Sequence, residues 1–235
     1  MFKQYAVIAL TLCSTQVIAQ ASKTVIGEAF DTQSNELLYV EKHRYVQGDK
    51  HEVKYYDPQG KLFAQKLLNY GDYEQAPEFE QTNDLRGEWI RVTEQGSKIK
   101  VEYRETSDAV VFDKRFDVND DLLVDAGFDR YVKKHWNELV NLKQKRSIDY
   151  LVPSRLTTVG FDVSKVDCLA GTVEPAVCFQ IAPTSWWVSL AVDPITVAYD
   201  PDSHNLLRFN GRGNIASASG SYQTVDIHYQ YPNAE

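Results

Sequence analysis

The sequence predicts a mainly β protein. We expect one large curved antiparallel sheet, a half-barrel, with one long and one short helix on its concave side. Three observations carry that expectation. Apolar residues recur with period two in about a dozen short segments. Turn residues separate these segments at hairpin spacing. Only one segment carries a strong helical stripe.

Residues 1–21 read as a secretory signal peptide. Lys3 supplies the positive start, Tyr5 to Cys13 a short apolar stretch, and Ala19-Gln20-Ala21 a small-x-small cleavage pattern. The stretch is shorter than the roughly 20 residues that span a bilayer. Leu12 precedes Cys13, where a lipoprotein signal needs a small residue. A soluble periplasmic or secreted protein is expected, with residues 22–235 as a single β-rich domain and no transmembrane segment. Beyond the leader two cysteines remain, Cys168 and Cys178, ten positions apart. In an oxidising compartment they read as a structural disulfide, with two free thiols as the alternative. No metal-ligand spacing surrounds them.

The strands follow in chain order. Glu36–Val46, His51–Tyr56 and Leu62–Tyr70 come first, then Trp89–Thr93. Lys98–Arg104 alternates cleanly, with Ile99, Val101 and Tyr103 on one face and charged residues on the other. Val110, Phe112, Phe116 and Val118 alternate less cleanly, because Lys114 falls in the apolar register. Ser147–Leu151, Arg155–Val166, Ala176–Ile181, Ile195–Tyr199 and Asn205–Asn210 follow, and Val225, Ile227, Tyr229 and Tyr231 mark the last strand. Asp57-Pro58-Gln59-Gly60 has the signature of a type I turn. Gln47-Gly48-Asp49, Gln95-Gly96-Ser97 and Asp200-Pro201-Asp202-Ser203 read as hairpin loops. The acidic stretch Gly71 to Glu80 reads as the longest loop.

Asp125 is the expected N-cap of a helix from Ala126 to about Asn141. Phe128, Tyr131, Val132, Trp136, Leu139 and Val140 form its apolar stripe. A shorter helix is expected after Pro183, carrying Trp186, Trp187 and Leu190 and ending before Pro194.

The helices are too small for the sheet. About ten strands of roughly 20 Å, spaced about 4.8 Å, present a face near 950 Å². A helix of about 16 residues shades roughly 240 Å². Water tolerates no such exposed apolar area, so the sheet must curl on itself or split into a sandwich. A curled sheet of this width has an interior too wide for its own side chains, so a cavity for an apolar ligand is expected.

Gly27-Glu28-Ala29 leading into Glu36-Leu37-Leu38-Tyr39, Val53-Lys54-Tyr55-Tyr56-Asp57-Pro58-Gln59-Gly60, Asp125-Ala126-Gly127-Phe128 and Val192-Asp193-Pro194-Ile195 carry a resemblance. With them the chain resembles the periplasmic lipoprotein-carrier (LolA-like) architecture, and a bacterial family of exported proteins without assigned function. The resemblance implies a half-barrel that shields an acyl chain. The carriers begin with an amphipathic helix, whereas Thr24 to Asn35 does not read as one.

The composition is that of a globular chain: 235 residues, 43% hydrophobic, 25% charged. A formal net charge of -8 argues against a nucleic-acid binder. There is no nucleophile elbow, P-loop or dinucleotide fingerprint, and no cofactor is expected. His43 and His51, with Glu41 nearby, stand on neighbouring strands, where they could meet as metal ligands or an acid–base pair. Without a third spaced ligand they read more simply as residues of a polar face. Asp117, Asn119, Asp120, Asp121 and Asp125 superficially suggest a calcium loop but lack its glycine and closing glutamate. Gly211-Arg212-Gly213-Asn214 reads as a loop or a small anion-binding nest.

The expected ligand-binding residues are Trp136, Trp186, Trp187, Phe128 and Leu190, which the helical cover would hold over the cavity; core packing is the competing role. The expected function is non-enzymatic: an exported protein that binds or carries a lipid, acyl chain or lipoprotein. An envelope scaffold with a packed core and a hydrolase with a dispersed site are the alternatives.

Overall fold

The computed structural model describes residues 24–46, 49–141, 145–186 and 193–232. Strands β1 (Thr24–Asp31), β2 (Leu37–Tyr45), β3 (Lys50–Tyr56) and β4 (Leu62–Asn69) begin an antiparallel meander. It continues through β5 (Glu78–Asn83), β6 (Glu88–Gln95), β7 (Lys98–Arg104) and β8 (Phe112–Asp117). Strand β9 (Leu122–Val124) leads into helices α1 (Gly127–Lys134) and α2 (Trp136–Val140). A second meander follows: β10 (Arg146–Val152), β11 (Thr157–Val166), β12 (Val177–Pro183), β13 (Ile195–Tyr199), β14 (Leu206–Ala216) and β15 (Tyr222–Gln230). β9 pairs parallel with β10, and β15 returns antiparallel to β1. Among the described residues this makes one open sheet of fifteen strands, in the order β8 to β1, then β15 down to β9.

The two edge strands, β8 and β9, are neighbours in the chain. Asp117 ends one and Leu122 begins the other. Laid flat, fourteen strand spacings would separate the edges by about 67 Å. Five residues reach at most about 18 Å. The sheet therefore has to curl until its edges approach, and it does so without closing into a barrel. The expected curved sheet is present, and the helices pack on its concave face.

The curl brings β5 against β14. The pairing of β14 with β15 is irregular between Arg212 and Ala216, and carbonyls freed there accept hydrogen bonds from β5. Asn83 Nδ2 donates to the Ala216 carbonyl at 2.7 Å, and Gln81 Nε2 to the Asn214 carbonyl at 3.2 Å. Both side chains are fully buried. Nearby, the Tyr222 and Tyr103 hydroxyls donate to Glu88 at 2.7 and 3.3 Å. Polar groups hold this seam because an unpaired buried carbonyl is costly.

Apolar burial follows the two halves. One cluster joins the inward faces of β1–β7, including Tyr55, Phe79, Val92 and Val101. The other joins α1 and α2 to β9–β13, including Tyr131, Leu139, Phe179 and Tyr199. The disulfide Cys168–Cys178 closes the loop between β11 and β12. Arg208 on β14 pins that loop: Nη1 donates to the Ala170 carbonyl at 2.9 Å, while Nε and Nη2 hold Asp226 at 2.7 and 2.6 Å. Burial raises the Asp226 pKa, but the Arg208 hydrogen bonds and charge outweigh it and hold the carboxyl below its ordinary value.

Several expectations are corrected here. The single long helix is two short ones, broken at His135, where φ is -102° and ψ 18°. The bend turns Trp136 onto Phe179, Tyr199 and His204. Asp125 does not cap α1. Ala126 occupies the cap position, and Asp125 has a left-handed φ of 48°. The stretch Gly71 to Glu80 is a loop only as far as Pro77, and Gly211–Asn214 lies within β14 rather than in a loop. Alternation does not predict β1, β5 or β9 as strands. Asp117 pairs with Lys98, and Asn119 accepts from the Asp121 N–H, so the acidic run is an ordinary turn. The expected leader and the helix after Pro183, apart from its first residues, lie outside the described residues. No described helix is long and apolar enough to cross a membrane.

Replacing Asn83 by Ala leaves the Ala216 carbonyl without its partner. We expect a loss of about 1–3 kcal/mol, read from urea unfolding. An unchanged midpoint would mean that β14 is held by other contacts.

Candidate functional site

A cavity of about 460 Å³ lies between α1 and the concave middle of the sheet. Period-two alternation aims its walls inward. β2 contributes Glu41, His43 and Tyr45; β3 contributes His51, Val53 and Tyr55; β4 contributes Lys66 and Leu68. β13, β14 and β15 contribute Val197, Leu206, Phe209, Ile227 and Tyr229, and Phe128, Asp129 and Arg130 come from α1.

A polar chain runs along one wall. The Tyr229 hydroxyl donates to Glu41 Oε1 at 2.8 Å. Glu41 Oε2 lies 3.5 Å from His43 Nε2, and His43 Nδ1 lies 3.0 Å from His51 Nε2. His51 Nδ1 is buried with no protein partner. With His51 Nδ1 taken as the unprotonated nitrogen, His51 Nε2–H donates to His43 Nδ1, and His43 Nε2, which makes no hydrogen bond among the described residues, faces the Glu41 carboxylate. Burial, together with the neighbouring Glu41 carboxylate, pushes the Tyr229 pKa well above its ordinary value, so the phenol remains a donor. Burial, then the charges of His43 and Lys66, lower the His51 pKa to about 2. His51 is thus neutral, and it stacks on Tyr45 with ring centroids 4.2 Å apart.

Gly27 makes this wall possible. It pairs with Glu41 on one side and Tyr229 on the other. A Cβ there would sit 2.8 Å from both Glu41 Cγ and the Tyr229 ring. Its absence lets the tyrosine cross the central strand.

Lys66 is only 1% exposed, and its ammonium pairs with Asp125 Oδ2 at 2.5 Å. The pair ties the segment leading into α1 to the floor of the sheet. Gly127 completes the docking, because a Cβ there would strike the Gln75 carbonyl.

The expected site residues are distributed differently. Phe128 lines the cavity. Trp136 packs in the second cluster and does not line it, and Trp186 is 61% exposed. Trp187 and Leu190 lie outside the described residues. His43 and His51, expected on a polar face, point inward and meet. Among the described residues no third His, Cys, Asp or Glu joins them to form a metal-binding group. The tyrosine wall had a visible signal in the alternation of Tyr229 and Tyr231, whereas the inward Glu41 and Lys66 had none.

No protein-family model, curated protein or solved structure matches this chain.

Two outcomes follow from the site. The His51 pKa is lower in the folded chain than its ordinary 6.5. Below about pH 6.5 the unfolded chain binds a proton that the folded chain refuses, so stability falls with pH. His51→Phe should flatten the acid limb of a stability–pH curve by up to about 1.4 kcal/mol per pH unit. Identical slopes would mean that His51 protonates without unfolding. Lys66→Met strands the Asp125 carboxylate, at an expected cost of about 3–5 kcal/mol. Adding Asp125→Asn should recover most of that loss, because Asn tolerates the left-handed backbone. Additive losses in denaturant would show that the two residues are not coupled.

Proposed function

We propose that this protein is a non-enzymatic binding protein that takes a small, largely apolar ligand into the cavity beneath α1. The observation that carries this reading is the cavity itself: about 460 Å³, lined by aliphatic and aromatic side chains interspersed with charged and histidine side chains. Its size falls among ordinary ligand pockets of about 300–1,000 Å³. A single acyl chain or a comparable ring system suits that volume, and a lipoprotein would insert only one of its chains. The disulfide supports an exported setting, since such bonds persist in oxidising compartments.

A docking role is the second reading. Val110 and Phe112 are 71% and 59% exposed beside the open edge of β8. A partner strand added there would cover them.

Native mass spectrometry of the protein purified from its own host should reveal a co-purified mass that organic solvent removes. A fluorescent naphthylamine dye should bind the emptied protein. Leu206→Trp, which fills the cavity from one wall, should weaken the dye roughly tenfold, as overpacking costs about 1–3 kcal/mol. A chain that carries no ligand and binds no dye would leave the docking reading in its place.

A further inference from the structure

The cavity is more basic than the chain that builds it. Lys66, Arg130, Lys133 and Arg212 line it against Glu41, Asp125 and Asp129, in a protein of formal net charge -8. Each lining carboxylate already holds a donor or a cation: Glu41 accepts from Tyr229 and faces His43, Asp125 holds Lys66, and Asp129 holds Lys133 through Oδ2 at 2.7 Å, while its buried Oδ1 has no hydrogen-bond partner among the described residues.

Arg130 is left over. Among the described residues it has no ion pair, and its guanidinium lies 4.4 Å over the ring of Tyr70. Stacking of this kind occupies the face of the guanidinium and leaves its N–H edge free for a planar, bidentate anion. Arg212 also lacks an ion pair among the described residues. However, it is exposed and lies 6.0 Å from the Tyr222 ring on β14. Arg130 is half-buried on α1 at the cavity wall, where a charge gains most from a partner. The negative charge of the rest of the surface acts over a screened distance of about 8 Å in physiological salt, so the local guanidinium decides the sign at the wall.

We propose that the ligand is an anionic amphipath. Its apolar body lies against Val53, Leu68, Phe128 and Ile227, and its carboxylate or phosphate engages Arg130. The proposal rests on the binding role given above and names the class of molecule that fills it.

The test uses the full mature chain and matched single-chain probes: dodecanoate, dodecyl phosphate, dodecanol and dodecyltrimethylammonium, each competing with the bound dye. Dodecanoate and dodecyl phosphate should bind roughly tenfold or more tightly than dodecanol, as expected for a charge-assisted bidentate contact. Arg130→Gln should bring them level with dodecanol while dodecanol itself is unaffected, and Arg130→Lys should retain part of the preference.

Equal binding of acid and alcohol by the unaltered protein would overturn the anionic assignment and leave the binding role standing. Binding of none of the four would overturn the binding role itself. A preference lost in Arg212→Gln but kept in Arg130→Gln would overturn the assignment to Arg130. Acetate or inorganic phosphate displacing the dye as well as the amphipaths do would make this an ion site, against the proposal. The comparison of probes on the unaltered chain needs no variant to fold.

Discussion

The architecture depends on one geometric demand: fifteen strands must bring their two edges within reach of a four-residue connection. With only two short described helices available as cover, the sheet shields its own apolar face by bending over it. The bend creates a seam where β5 meets β14, and there the pleated ladder cannot continue. Gln81 and Asn83 take over the hydrogen bonding. Glu88 does similar work with Tyr103 and Tyr222. The polar seam and the two apolar clusters are thus parts of one solution to sheet width, and the cavity is the space that the two halves leave between them.

That space is neither greasy nor wet throughout. Its aliphatic patches come from the ordinary alternation of β3, β4 and β13–β15. Its polar wall comes from residues that replace an apolar one in the same register: Glu41 between Tyr39 and His43, Lys66 between Ala64 and Leu68. Each is matched by a partner from a distant part of the chain, Tyr229 for the first and Asp125 for the second. These two pairs fix the shape of their part of the wall, because neither can move without losing its bond. α1 is held by the same logic, through Lys66 below and the glycine contact with Gln75 beside it.

Much of this fold was legible in the sequence, and the reasons it was not legible elsewhere are physical. Lys98–Arg104 and Ile195–Tyr199 appear with the bounds that alternation gives them. β1 escaped because its inward positions, Val25, Gly27 and Ala29, are small, while Ile26 and Phe30 point outward. β5 escaped because Phe79 shares its buried face with Gln81 and Asn83, which look like surface residues until β14 is placed against them. The helix stripe included the buried Tyr131, Val132, Trp136 and Leu139 but not the buried Gly127, and periodicity does not register a one-residue break at His135. The histidine pair was visible as two residues on adjacent strands. Its inward orientation was not, because polar residues on the concave face of a curved sheet carry no hydropathy signal of their own.

The pairing of β1 with β15 sets the order in which the molecule can be finished. Residues 26–31 pair with residues 225–230 in the middle of the sheet, not at its rim. A chain made from its amino end can assemble one half as a meander while β1 waits with a bare ladder. That ladder stays open until nearly two hundred further residues have been added. Non-local closure of this sort is slow, and an unpaired central strand invites pairing with strangers. Synthesis therefore has to deliver the late strands before the early ones find other company.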